Sequence, residues 1–241
     1  MKLKLALIFL LTLLSPIVGY ENSAKILCYH TFKGTPTIAT DFSINEFKLH
    51  IQKLQKNGYR FVQWKDIKEN RIKGTKNILI TIDDGHKSTY EAYQKVLKPL
   101  NIKPMLAIYP GIIGSRKFAM TWAQVSQLQK EGCEIASHGY FHQFFTEKYA
   151  QSNPKEFNDE FFRSKKILEE KLPIKITEIV YPFGITSKIS EHTLLKAGYH
   201  YGFSIRQAPI QTPIQNKEKL DIPRYMLVRG NADTLFKRWE K

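Results

Sequence analysis

Short apolar runs alternate with amphipathic stretches along almost the whole chain, and this order constrains the fold more than any other feature. Lys25–Tyr29 reads as a strand. Ser43-Ile-Asn-Glu46 then forms a capping box before a helix that carries Phe47, Ile51 and Leu54 and stops at Asn57-Gly58. Further strands are expected at Phe61-Val62, Asn77–Ile82, Met105–Tyr109, Cys133–Ser137, Ile176–Tyr181, Tyr199–Ile205 and Arg224–Val228. Helices are expected over Lys87–Leu97, Thr121–Lys130 with Gln124 in the capping position, Asn153–Lys171 with Pro154 in its first turn, Ser187–Ala197 and Asp233–Trp239. Strands separated by helices pair in parallel, because parallel neighbours need crossover connections. About eight such strands in one α/β domain favour a closed (β/α) barrel over an open doubly wound sheet. The absence of a Gly-rich dinucleotide fingerprint or phosphate loop points the same way.

The N-terminus breaks this pattern. Lys2 and Lys4 precede a mostly aliphatic run from Leu5 to Leu14, which Ser15-Pro16 ends. Charged, then apolar, then small is the order of a secretory signal, so residues 1–19 are expected to be removed after Gly19 on export to the periplasm or medium. An uncleaved anchor is the rival reading, although the run is short of the roughly 20 residues a membrane span needs. The 241-residue chain carries a formal net charge of +15, two less without Lys2 and Lys4. Its lysines are scattered singly rather than clustered with aromatics, so nucleic acid is not the expected partner. An anionic envelope surface fits an exported protein better, and solubility alone accounts for the charge equally well. The two cysteines, Cys28 and Cys133, lie in or beside apolar strand-like segments. A disulfide and two buried thiols are both compatible with that placement.

In a parallel α/β barrel the chemistry sits at the C-terminal ends of strands. Asn77–Ile82 is followed by Asp83-Asp84-Gly85, and Cys133–Ser137 by His138-Gly-Tyr-Phe-His142. Ile176–Val180 is followed by Tyr181-Pro182-Phe183-Gly184, and Lys25–Tyr29 by His30. Two imidazoles and a carboxylate with one position left to water suit a catalytic zinc or similar divalent ion. Such an ion lowers the pKa of bound water toward neutrality, and a neighbouring carboxylate that does not bind the ion can take the proton. Consecutive aspartates do not easily point the same way, so two separate tasks are natural for Asp83 and Asp84. Each element alone is weak: Asp-Asp-Gly is a common turn, and two histidines four apart are often solvated.

Together, Thr81-Ile-Asp-Asp-Gly85, Ser137-His-Gly-Tyr-Phe-His142 and Tyr181-Pro-Phe-Gly184 resemble the first three motifs of the NodB-type polysaccharide deacetylases, carbohydrate esterase family 4. Tyr29-His30 resembles the branch acting on poly-N-acetylglucosamine. The resemblance spans about residues 25 to 230 and makes residues 20–241 one NodB homology domain with a distorted (β/α) barrel. It implies Asp83 as general base, Asp84, His138 and His142 as ligands of a divalent metal ion such as zinc, and the Phe183 backbone N–H as oxyanion donor. The implied reaction is hydrolysis of N-acetyl groups on an acetylated amino-sugar polymer.

The chain also departs from the family pattern. Ile82 stands for the usual Phe, and Val180 for the Arg that orients the base. There is no Asp-x-x-Asp-Trp. The late Leu-x-His that supplies the general acid is missing, since no histidine follows His200. The proton for the leaving amine then falls to Asp83 or to His30. Arg224, in Ile-Pro-Arg, has two readings: an orienting partner for Asp83, and the preferred one, a surface or structural role. His86 either lines the cleft or is solvated, and His50, His192 and His200 are expected to be uninvolved. The rival functions are an O-acetyl esterase, which needs a general acid less, and an inactive polysaccharide-binding barrel.

Overall fold

The computed structural model of the chain describes residues 22–240; the expected signal segment lies outside the described residues. The elements in chain order are β1 (Asn22–Tyr29), α1 (Ile44–Lys56), β2 (Arg60–Phe61), α2 (Trp64–Lys68), β3 (Asn77–Ile82), α3 (Lys87–Ala92), β4 (Met105–Ile108), α4 (Trp122–Lys130), β5 (Glu134–Ser137), α5 (Glu147–Ser152), α6 (Pro154–Asn158), α7 (Ser164–Lys171), β6 (Glu178–Val180), α8 (Lys188–Lys196), β7 (Tyr201–Phe203), β8 (Ile210–Thr212), β9 (Tyr225–Met226) and α9 (Ala232–Arg238). π turns at Tyr93–Leu97 and Asp159–Arg163 extend α3 and join α6 to α7, so both expected long helices are present as continuous rods. Ser43 caps α1 through the expected capping box with Glu46, and Thr121 caps α4 with Gln124 in the same way.

The strands form one curled sheet in the order β7-β6-β5-β4-β3-β1-β8, with β2 also beside β3 and β9 beside β1. All pairs are parallel except β1 with β8. A parallel bridge between Phe203 and Ile222 ties β7 to the segment leading into β9, which pairs with β1, and so links the two sides of the curl. This is the expected distorted barrel. β3 is buried along its whole length, as a strand covered on both faces must be.

Alternation along the strands divides the core in two. Leu27, Ile78, Ile80, Ile82, Leu106, Ile135 and Ile179 face the surrounding helices. Ala24, Ile26, Leu79, Met105, Ala107, Ala136, Val180 and Phe203 face the inside of the curl, where Trp64 and Ile67 of α2 plug the lower end. Glu134 on β5 anchors that plug by accepting the backbone N–H groups of Trp64 and Lys65. The inner cluster fills the lower barrel with apolar atoms, and the polar groups are left to the upper rim.

Candidate active site

The inward rows continue upward into chemistry. Ala24 and Ile26 are followed two and four residues on by Cys28 and His30, Leu79 by Thr81 and Asp83, and Ala136 by His138. Cys28, His30, Asp83 and His138 line a cavity of about 330 Å³, together with Asp84, His142, Phe183 and Arg224 among others. Strict alternation would turn Asp84 away from the cavity. Its φ of 77° reverses the chain, so both carboxylates face the same space for different partners. Asp84, His142 and Phe183 are three of the five non-glycine residues with positive φ among the described residues, the others being asparagines. A left-handed backbone costs about 1–3 kcal/mol at such residues and persists where surrounding contacts enforce it.

Asp84 Oδ1 lies 3.5 Å from His138 Nε2 and 3.4 Å from His142 Nε2. It is buried and has no hydrogen-bond partner. An orphaned carboxylate oxygen is costly unless something positive completes it. Three ligand atoms converging at that spacing are what one divalent ion needs, so the residues fit the metal that the sequence motifs imply. The His138 Nδ1–H donates to the Val180 carbonyl at 2.8 Å, which fixes the tautomer and leaves Nε2 as the acceptor facing Asp84. Burial opposes charge on His138, but Asp84 and Asp83 outweigh it and raise its pKa. Burial and the neighbouring His138 push His142 down to about 4, so its ring is neutral at physiological pH.

Asp83 is held otherwise. Arg224, 1% exposed, donates from Nη1 to Asp83 Oδ1 at 2.8 Å and from Nη2 to Oδ2 at 2.9 Å. The same guanidinium donates to Thr81 Oγ1 and to the Ser204 carbonyl. Burial alone would raise the Asp83 pKa; the Arg224 charge, aided by His138, overrides it and holds the carboxyl well below the usual range. This corrects the preferred reading of Arg224: it is a buried partner of Asp83, as the other sequence reading has it. The Cys28 thiol donates to Asp83 Oδ2 at 3.3 Å. Cys28 and Cys133 are both free and buried, which settles the cysteine question in favour of thiols.

The loop between His138 and His142 is shaped by a residue the sequence reading passed over. Glu160, fully buried in the π turn, accepts the N–H groups of Tyr140 and Phe141 at 2.8 and 2.9 Å. Gly139 turns with φ 75°, and a Cβ there would collide with the Glu160 carboxylate. Ser164 Oγ donates to the Gly139 carbonyl. Replacing Glu160 with Gln is therefore expected to cost about 1–3 kcal/mol, since its amide presents a donor to these donors. Metal affinity should fall roughly 10–100-fold as His142 loosens. Thermal melts and metal titration of this variant check both; unchanged metal affinity would mean that the loop holds its shape without Glu160.

The remaining histidines divide as follows. His30 is half-buried at the cavity, its Nδ1 buried and unpartnered. His86 caps α3 by accepting the Ser88 N–H, in a groove beside the cavity with Phe118, rather than in the cavity itself. His50 is buried against Tyr29, whose hydroxyl is 3.3 Å from its Nδ1. His192 and His200 are exposed.

The family model described as "Polysaccharide deacetylase" matches residues 70–202. YxkH of Bacillus subtilis, whose name as a polysaccharide deacetylase is provisional, is 28% identical over 76% of this chain and 65% of its own length. The poly-beta-1,6-N-acetyl-D-glucosamine N-deacetylase of Staphylococcus epidermidis is 23% identical over 91% of this chain and 84% of its own. Among solved structures, IcaB from Ammonifex degensii superposes with a TM-score of 0.77 at 23% identity, over 91% of this chain and 97% of that one. The Streptococcus pyogenes deacetylase PplD superposes equally well at 18% identity, over 92% of this chain and 100% of that one. The strand ends that carry Asp83 and His138 are thus set in a shared fold, and the chain belongs to the polysaccharide deacetylase family.

Proposed function

We propose that this protein is a metal-dependent hydrolase that removes N-acetyl groups from a poly-N-acetylglucosamine-like polymer outside the cytoplasm. The observation that carries the reading is the buried, unpartnered Asp84 Oδ1 within 3.5 Å of two imidazole nitrogens, beside a separately held Asp83. Asp84, His138 and His142 would hold the cation, zinc being the best match for two imidazoles and a carboxylate with a position left open. When bound, it supplies Lewis acidity to the attacking water and the acetamide carbonyl. Asp83, kept ionised by Arg224, accepts the water's proton. The Phe183 backbone N–H, on the cavity rim, donates to the developing oxyanion. His30, whose ring nitrogen lies within 4.8 Å of the Asp83 carboxylate, returns a proton to the departing amine. Export agrees with the N-terminal pattern, and no helix among the described residues is long and apolar enough to cross a membrane.

His30 also bears on the choice between amide and ester. An amine leaves only when protonated, so a donor beside Asp83 favours N- over O-deacetylation. Acetate release from N-acetylglucosamine oligomers should exceed that from an O-acetylated glycan. His30→Ala should slow the amide substrate much more than an activated ester. A faster O-acetyl reaction, unaffected by His30→Ala, would make the protein an esterase; no acetate from either glycan would make it a binding barrel.

A further inference from the structure

A second set of potential ligands stands directly beside the first. The Cys28 thiol, a ring nitrogen of His30 and a carboxylate oxygen of Asp83 lie within 4.8 Å of one another, as do the ligand atoms of Asp84, His138 and His142. All three line the cavity, and His30 Nδ1 is buried with no partner. Arg224 takes one of the two acceptor sites on each Asp83 oxygen, and the Oδ2 site that accepts the Cys28 S–H is freed when that proton leaves. We propose that Cys28, His30 and Asp83 form a second cation site, selective for thiophilic divalent ions such as zinc and cadmium, and that filling it stops the reaction.

The donor set decides the selectivity. A thiolate and an imidazole favour soft or borderline ions and give magnesium or calcium little reason to bind. Binding exchanges the Cys28 S–H proton for the ion, and the proton leaves to cavity water; no electron transfer is involved. Arg224 and a cation in the first site both repel the second ion, so the second site fills only after the first and at excess metal. Inhibition follows because both His30 and Asp83 are then engaged and can neither accept nor return a proton. That last step rests on the function proposed above, whereas the existence of the site does not.

Cadmium chloride titrated into protein already loaded with one equivalent of zinc tests the proposal. Equilibrium dialysis should find a second ion per chain, with a thiolate-to-cadmium absorption band in the ultraviolet and a parallel fall in acetate release. Cys28→Ser should lose the band and the second ion while keeping the first. Losing an outer partner of a metal ligand costs roughly 10–100-fold in affinity, so losing the thiolate should exceed that range. Cys133→Ser should keep the band, and His30→Gln, at a half-exposed position, should weaken the second ion even if Cys28→Ser fails to fold. One ion per chain in the parent protein, or a band that survives Cys28→Ser, would overturn the site. A second ion bound at Cys28 with the rate unchanged would uphold the site, overturn the inhibition and remove Asp83 from its role as base.

Discussion

Asp83→Asn is expected to lower the rate of acetate release by roughly 10²–10⁴-fold while the bound metal is retained. The amide fills the same volume but cannot take a proton. The atoms that would face the cation belong to Asp84, His138 and His142, and none of them hydrogen-bonds Arg224. The loss sits at the upper end of that range if Asp83 also returns the proton. Asp84→Asn should behave in the opposite order, weakening metal binding first and regaining part of its rate in excess metal. Metal content and kcat measured together on both variants distinguish the two. Metal lost from Asp83→Asn and kept in Asp84→Asn would reverse the roles of the pair.

The second large effect is expected at Arg224, which acts through Asp83 as a positioning residue. Arg224→Met leaves a carboxylate buried without its counter-charge, and breaking one side of such a pair costs about 3–5 kcal/mol. Denaturant unfolding at neutral pH should show that loss. Its pH dependence follows from the sign of the shift. In the parent protein the Asp83 pKa is depressed, so the pair's contribution is full above the unfolded carboxylate value, about 3.9, and is lost only as pH falls toward the lower folded value. Without Arg224, burial raises the same pKa, so the variant's deficit is largest at neutral pH and shrinks in acid as the carboxyl protonates. The acid limb of its pH–rate profile should move to higher pH. Arg224→Lys keeps a charge but not the two-pronged contact, and should recover only part of both properties. A rate profile unmoved in Arg224→Met would reduce Arg224 to a structural role.

Much of the fold and of the candidate metal site is written in local signals. The limits of β3, the Ser43 capping box and the strand ends that carry Asp83, His138 and Phe183 are all short-range patterns. Arg224 is different. Its partner lies 141 residues away, and the pairing of β9 with β1, which lies beside β3, brings the two together. An arginine at the start of an apolar run reads locally as a surface residue. Parity offers the one usable hint, because the same alternation that turns Thr81 inward turns Asp83 inward and requires a buried cation to meet it. Glu160 was hidden for a related reason. On a regular helix it sits among charged neighbours, whereas the π turn at Asp159–Arg163 rotates it under the His138–His142 loop. The five-residue α2 and three-residue β8 are too short to show a period, and their place is set by the barrel they plug and flank.

Removal of the metal tests the account most directly. Chelated protein, verified as metal-free by elemental analysis, should release no acetate from N-acetylglucosamine oligomers. One equivalent of zinc or cobalt should restore the rate to the parent protein, but not to His142→Ala, which lacks one of the three ligands. Full activity in the metal-free protein, or in His142→Ala without metal, would contradict the assignment of Asp84, His138 and His142 as the centre of the reaction.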